Sequence, residues 1–129
     1  MTADTLSRVE QTALAASPFE LIYRPTEKIR TIVVEHFPSL GKLAALRFLE
    51  WVQMNPGGVV SLPTGKTPEH FIKWVTHLLE NWETPEARGV LEEGGVDSAV
   101  RPDMESLRFV QIDEFYPIDP EHHNSFNYY

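Results

Sequence analysis

Residues 59–68 read Val-Val-Ser-Leu-Pro-Thr-Gly-Lys-Thr-Pro, an apolar run that stops at a turn rich in proline and glycine. An amphipathic segment follows directly, and Pro68 suits the first position of a helix, where its missing N–H costs nothing. This order predicts a strand, a loop and a helix N-terminus, which is where an α/β sheet presents backbone N–H groups to an anion. The sequence therefore predicts a binding site for a phosphate-bearing small molecule.

The segments around this stretch alternate between strand and helix patterns. Runs of apolar and β-branched residues predict three strands, over 29–34, 59–62 and 107–112, and the second has the continuous apolar character of a strand covered on both faces. Helical spacing predicts helices over 6–16, 39–54 and 68–82. Because crossovers between parallel strands are right-handed, this order predicts a parallel α/β sheet covered by helices.

The longest predicted helix follows Pro38, with Ser39 as its N-cap. Its polar side chains Lys42, Glu50 and Gln53 fall opposite an apolar face. We expect that face to pack on the core, and its members are Leu40, Ala44, Phe48, Trp51 and Val52.

Composition limits the class of protein. The 129 residues suffice for a single domain, with 42% hydrophobic and 23% charged residues, and the absence of cysteine excludes disulfides and thiolate chemistry. No apolar run approaches the roughly 18 residues of a membrane span, and no signal-peptide pattern is visible, so we expect a cytoplasmic protein. The net charge of −8 disfavours a nucleic-acid surface, so any anion must be captured locally.

Residues 83–106 are expected to form an acidic insertion within the single domain of residues 1–129. Between Glu80 and Glu105 there are eight acids against two bases, and several prolines and glycines interrupt regular structure. We expect a solvated loop with one helical turn near 86–92. A lid or partner-binding element is the alternative.

The loop after the second strand resembles the end of a Walker A motif in Gly65-Lys66-Thr67. That motif requires a glycine five positions before Gly65, where this chain has Val60, so a P-loop nucleotide site is disfavoured. We expect the N–H groups of residues 64–67 to hold a phosphate or sugar hydroxyls, with Lys66 nearby. A tight turn with a solvated lysine is the alternative.

Asp113 directly follows the third strand. A carboxylate at the mouth of a strand can act as a general base on a carbon acid next to a carbonyl, although a capping role is the alternative. Because the carboxyl ends of parallel strands share one edge of the sheet, we expect this loop and residues 63–68 to face each other across one crevice.

Three ordered segments resemble the N-terminal half of the glucosamine-6-phosphate deaminase/isomerase family, whose pattern is L-P-T-G-x-T-P, M-D-E-[YF] and H-x-x-S-[YF]. Here residues 62–68 read L-P-T-G-K-T-P, residues 112–115 read I-D-E-F and residues 122–126 read H-H-N-S-F. The sister family of 6-phosphogluconolactonases shows S-G-G-[ST]-x-P in the first loop and a basic residue after the Asp-Glu pair. Pro63-Thr64-Gly65 and Phe115 side with the deaminases.

The resemblance implies a Rossmann-like three-layer αβα fold and an enzyme that converts an aminosugar 6-phosphate to a ketose phosphate and ammonia. After ring opening, a carboxylate removes the C2 proton and C1 is reprotonated from the same face. That base carries over to Asp113, and the substrate-binding loop to Thr64, Gly65 and Thr67. Lys66 replaces the family's common glycine, and Glu114 shapes the pocket. A homo-oligomer without a cofactor is implied.

The chain also departs from the family pattern. The family's later G-x-D-G-H-x-A-F-N-E segment, which serves ring opening, and its phosphate-clamping basic residues do not occur in the 129 residues. We therefore expect an incomplete sheet, a helix begun near Asn124 and a fragment that is inactive alone. A 6-phosphogluconolactonase-like hydrolase, a non-catalytic sugar-phosphate-binding module and an assembly module are the alternatives.

The adjacent histidines His122 and His123 suggest a metal site at first sight. In a strand, neighbouring side chains point to opposite faces, and no third ligand follows at metal-site spacing. We therefore expect a solvated or substrate-lining pair and no metal.

Overall fold

The computed structural model describes residues 7–19, 28–29, 31–114 and 116–125. It contains four helices and two strands, in the order α1 (Arg8–Ala16), α2 (Phe37–Met54), β1 (Val59–Leu62), α3 (Glu69–Glu80), α4 (Pro85–Glu93) and β2 (Arg108–Gln111). The two strands pair in parallel, so the described residues form an α/β arrangement with a two-stranded parallel sheet. Among these residues, no helix is long and apolar enough to cross a membrane.

The register of the sheet places Val59 opposite Arg108 and Leu62 opposite Gln111, which confirms the predicted parallel pairing. Both strands therefore end at the same edge.

One face of this sheet is exposed: Val59 is 59% and Val110 is 53% exposed. The prediction that 59–62 is covered on both faces is wrong for the described part of the chain, because nothing in that part packs over the face that carries these two valines.

The strand expected over 29–34 is not observed: the structure assigns no strand at residue 29 or over 31–34, and residue 30 lies outside the described residues. A β-branched sequence fits a pleated surface but forms a strand only where a neighbouring ladder accepts its hydrogen bonds. Here Val34 borders an apolar groove beside Val9 of α1 and Leu43 of α2 instead.

The helix starts follow local capping chemistry. Ser7 caps α1 by accepting from the backbone N–H of Glu10, and α1 ends before Pro18 as predicted. The N-cap of α2 is His36, not Ser39, because the Nδ1 atom of His36 accepts from the N–H of Ser39 at 3.2 Å. Pro38 fits the second helical position, which lets the helix begin earlier than predicted.

The hydrophobic core lies among the four helices. Its buried members are Val9, Leu46, Leu49, Leu78, Trp82, Ala87, Leu91 and Val96. On α2 the buried side carries Ala45, Leu46 and Leu49. Of the predicted face, Val52 is buried and Phe48 packs against the core, whereas Leu40 and Ala44 are exposed. The helix is apolar on two sides, so periodicity alone could not decide which side packs on the core.

The acidic segment is part of this core, and the expected loop with one helical turn is wrong over Pro85–Glu93. Thr84 caps α4 through a hydrogen bond from the N–H of Ala87, and Ala87 and Leu91 are buried at i,i+4 spacing. Farther along, the indole N–H of Trp82 donates to the main-chain oxygen of Ser98 at 2.9 Å. The acids lie outward while the apolar side chains pack inward.

Glu50, expected on the polar face of α2, is only 5% exposed. Its carboxylate accepts hydrogen bonds from the Ser7 hydroxyl and from the N–H of Arg8 at 2.7 Å, and Arg47 lies 3.6 Å from it. A negative charge at a helix N-terminus is favoured by the helix dipole. This buried carboxylate therefore joins α2 to the start of α1.

Replacing Glu50 by alanine leaves the donors at the start of α1 without their acceptor, so Glu50→Ala is expected to lower the free energy of unfolding by about 3 kcal/mol. Glu10→Ala is the matched control, because Glu10 pairs with the same Arg47 at 3.8 Å on a partly exposed surface. Glu10→Ala is expected to lower the free energy of unfolding by less than about 1 kcal/mol. Urea unfolding measures both, and equal losses would contradict the assigned role of Glu50.

The place of α4 in the core is tested by two identical substitutions. Leu91 is 0% exposed, whereas Leu40 is 47% exposed. Leu91→Ala is expected to lower the free energy of unfolding by about 2–5 kcal/mol because it leaves a cavity. Leu40→Ala is expected to lower it by about 1 kcal/mol or less. If both variants unfolded like the unaltered protein, α4 would be a dispensable surface insertion.

Candidate functional site

The two loops that follow the strands meet at one point. Thr64 lies two residues beyond β1 and Asp113 two residues beyond β2. The hydroxyl of Thr64 donates a hydrogen bond to Oδ1 of Asp113, and the two oxygens are 2.7 Å apart. Parallel pairing brings both strand ends to the same edge, and this bond then joins them. The expected proximity of the two loops is confirmed.

The first loop turns sharply at Gly65, whose φ of +75° lies in the left-handed region. This conformation strains any residue with a Cβ atom, so glycine suits the position. No side chain caps the N-terminus of α3, and the N–H groups of residues 64–67 meet no acceptor in the described part of the chain. That these N–H groups hold an anion or sugar hydroxyls stays a prediction.

Lys66 is exposed at the start of α3, where a positive charge opposes the helix dipole. Glu69 in the first turn compensates for it. A hydrogen bond from the Lys73 ammonium, 3.0 Å away, holds the pKa of the Glu69 carboxyl below its usual value, and the charges of Lys73, His70 and Lys66 act in the same direction. The positive charge of Lys66 is thus partly balanced without a ligand.

Thr67 borders an apolar cavity of about 320 Å³ on the helix side of the loop. Leu62, Pro63 and Phe71 line this cavity together with residues of α2. Asp113 is not among the lining residues. The cavity therefore lies beside the Thr64–Asp113 junction and is not itself the crevice that the sequence predicts.

The second loop is held by a set of polar side chains around Asp113. The side-chain Nε2 of Gln111 donates to the main-chain oxygen of Asp113 at 2.7 Å and to Oε2 of Glu114 at 3.4 Å. Ser125, which is 0% exposed, donates its hydroxyl hydrogen to the same Oε2. Glu114 therefore joins residue 125 to the end of β2. Its role in shaping a substrate pocket stays a prediction.

Sequence reasoning missed Gln111 and gave no role to Ser125. The sequence does mark Gln111, because it is the single polar residue in the run Phe109–Ile112 and lies at the last position of the strand. Polar side chains inside such a run need hydrogen-bond partners. Phe115 and Phe126, the aromatic residues of the second and third motifs, lie outside the described residues.

His122 and His123 lie in a turn rather than a strand, so the expectation that they point to opposite faces is wrong. Their rings stack with centroids 4.4 Å apart, and Nδ1 of His122 accepts from the N–H of Asn124. The proline and asparagine around them favour turn geometry over a strand. Within the described ranges, no cluster of three or more His, Asp or Glu side chains could hold a metal ion.

The chain is similar to proteins named glucosamine-6-phosphate deaminase from Clostridium botulinum, in strain Loch Maree / Type A3 and in strain Hall / ATCC 3502 / NCTC 13319 / Type A. Each is 26% identical to it over 101 residues, which is 78% of this chain and 34% of the relative. The chain thus spans about a third of the length of the curated relatives that it matches. No protein-family model matches the chain, and no solved structure matches it significantly.

Two left-handed glycines allow a matched test of the first loop. Gly65 has φ +75° in the site, and Gly57 has φ +72° in the loop before β1, where a Cβ would meet open space. Both Gly65→Ala and Gly57→Ala are expected to lower the free energy of unfolding by about 1–2 kcal/mol, because each forces alanine into a left-handed conformation. Urea unfolding gives both values. An unchanged or higher stability for Gly65→Ala would show that the loop does not need this backbone conformation.

Proposed function

We propose that the protein carrying this chain is an aminosugar-phosphate isomerase and deaminase, which converts glucosamine 6-phosphate to fructose 6-phosphate and ammonia. The observation that carries the proposal is the 2.7 Å hydrogen bond between Thr64 and Asp113. It brings a carboxylate within reach of the same small molecule that the free N–H groups of the first loop would bind. The similarity to proteins named glucosamine-6-phosphate deaminase supports the same function.

In this proposal Asp113 is the base of the enolisation. Its carboxylate is exposed at the end of β2, and Thr64 occupies Oδ1, which leaves Oδ2 for the substrate. In the open-chain aminosugar, Oδ2 takes the C2 proton, and the electron pair of that C–H bond forms a C1–C2 double bond while the C1 oxygen gains a proton. Asp113 then returns its proton to C1. Water hydrolyses the resulting C2 iminium and releases ammonia and the ketose.

The first loop supplies the binding interactions. The N–H groups of residues 64–67 lie in the turn around Gly65, directly before the N-terminus of α3, where a negative group is favoured. Lys66 is exposed and able to reach an anion beside them. Because the protein carries a net charge of −8, such local donors are needed to attract a phosphorylated sugar.

The proposal also specifies the architecture around the sheet. It implies that β1 and β2 are neighbouring strands of a Rossmann-like three-layer αβα fold, with the site at their carboxyl edge. The face that carries Val59 and Val110, together with Ser61 and Arg108, is exposed, and this proposal implies that further protein covers it. No residue of this chain is assigned to ring opening.

The proposed base is tested by Asp113→Asn in the natural protein that carries this chain. The amide has the same shape but cannot accept the C2 proton, so ammonia release from glucosamine 6-phosphate is expected to fall at least about 100-fold. Glu121→Gln is the matched control, because it removes a negative charge from an exposed position in the same region without touching Asp113. It is expected to leave the rate unchanged.

The same preparations separate the alternatives. Full activity of Asp113→Asn would contradict the assignment of the base. If the protein hydrolysed 6-phosphogluconolactone and released no ammonia from glucosamine 6-phosphate, it would instead be an enzyme of the sister type. Saturable binding of glucosamine 6-phosphate without any turnover would identify a non-catalytic binding protein.

A further inference from the structure

We propose that Gln111 is a positioning residue for Asp113, and that its side-chain amide sets the location of the base by bridging two oxygens of the loop after β2. This inference rests on the proposed function, since it concerns the same carboxylate. It assigns a role to a residue outside the three sequence motifs.

The amide of Gln111 is suited to this role by its two protons. Nε2 donates to the main-chain oxygen of Asp113 at 2.7 Å and to Oε2 of Glu114 at 3.4 Å. A primary amide carries two N–H donors, so one nitrogen can serve both acceptors at once. The two residues that follow Ile112 are therefore held by one side chain.

Gln111 is itself held firmly. It is the last residue of β2, it pairs with Leu62 in the parallel ladder, and it is half-buried. Asp113 lies beyond the ladder, where the regular backbone hydrogen bonds have ended. The side chain of Gln111 thus links the ordered end of the strand to the backbone of Asp113, the residue proposed as the base.

The second acceptor is fixed from another direction. The fully buried hydroxyl of Ser125 donates to the same Oε2 of Glu114. Glu114 is therefore held between the strand end and the segment that ends at residue 125. An anchored Glu114 gives the amide of Gln111 a defined orientation.

Asp113 is consequently restrained at two places. Gln111 holds its main-chain oxygen, and Thr64 holds its Oδ1 atom. A general base is effective only when it reaches the proton in the correct geometry, and small displacements of a reacting group cost large factors in rate. Loss of the Gln111 amide is expected to misplace the base while the N–H groups of residues 64–67 remain available for binding.

The test compares two glutamines whose Nε2 atoms each donate to two oxygen atoms. Gln111→Met keeps the length of the side chain but removes both donors. Gln53→Met is the matched control, because Nε2 of Gln53 also donates to two oxygens, in its case the main-chain oxygens of Asp97 at 2.7 Å and Val100 at 2.6 Å. Gln53 lies on α2, and its two amide hydrogen bonds go to the segment after α4, away from residues 63–68 and 112–114 in the sequence.

In the natural protein, Gln111→Met is expected to lower kcat for ammonia release about 10- to 100-fold with little change in KM. It is also expected to slow the exchange of the C1 protons of fructose 6-phosphate with D2O by a similar factor, since in the bound open-chain ketose the same base removes the C1 proton and no C–N bond has to break. Gln53→Met is expected to leave kcat, KM and the exchange rate unchanged, although it loses the same kind of bonds.

The possible failures are distinguishable. If Asp113→Asn abolishes activity but Gln111→Met keeps the wild-type kcat and exchange rate, Gln111 has no positioning role and the proposed function stands. If Gln111→Met raises KM and leaves kcat unchanged, Gln111 acts in binding and the inference is wrong. If the unaltered protein catalyses neither ammonia release nor exchange, the proposed function fails and the positioning role fails with it.

Discussion

The site depends on one constraint, the parallel pairing of β1 with β2. That pairing places residues 63–68 and residues 112–114 at the same edge of the sheet, and the hydrogen bond from Thr64 to Asp113 then joins them. An antiparallel pair would put the two loops at opposite ends, so neither the carboxylate nor the free N–H groups could serve a common ligand. Every functional proposal for this chain follows from that geometry.

The sheet edge is supported by a helical core that lies beside it. Leu78 of α3 and Leu49 of α2 pack in that core, which fixes the helix that follows the first loop. Side-chain hydrogen bonds add to this support, since the buried Glu50 holds the start of α1 and Gln53 holds the segment after α4. In the loops, Lys66, Thr67 and Asp113 are exposed, whereas Thr64 and Gly65 are partly buried.

The sequence predicts the parts of the fold that depend on local chemistry. β1, β2, α3 and the position of Asp113 follow from apolar runs, turn residues and the rule for parallel strand ends. The predicted strand over 29–34 is wrong because pairing needs a partner that the local sequence does not specify. The sequence does not predict α4, because its many charged residues obscure the buried i,i+4 pair of Ala87 and Leu91. The roles of Glu50 and Gln111 depend on partners distant in the chain or on side-chain geometry, which periodicity does not contain.

The central claim is that the two strand-end loops form one binding site, and amide chemical-shift mapping with glucosamine 6-phosphate tests it most directly. The claim predicts saturable shifts at residues 64–67 and at residues 111–114, with one common dissociation constant. Shifts confined to one loop, different dissociation constants for the two loops, or saturable shifts only elsewhere in the chain would contradict it.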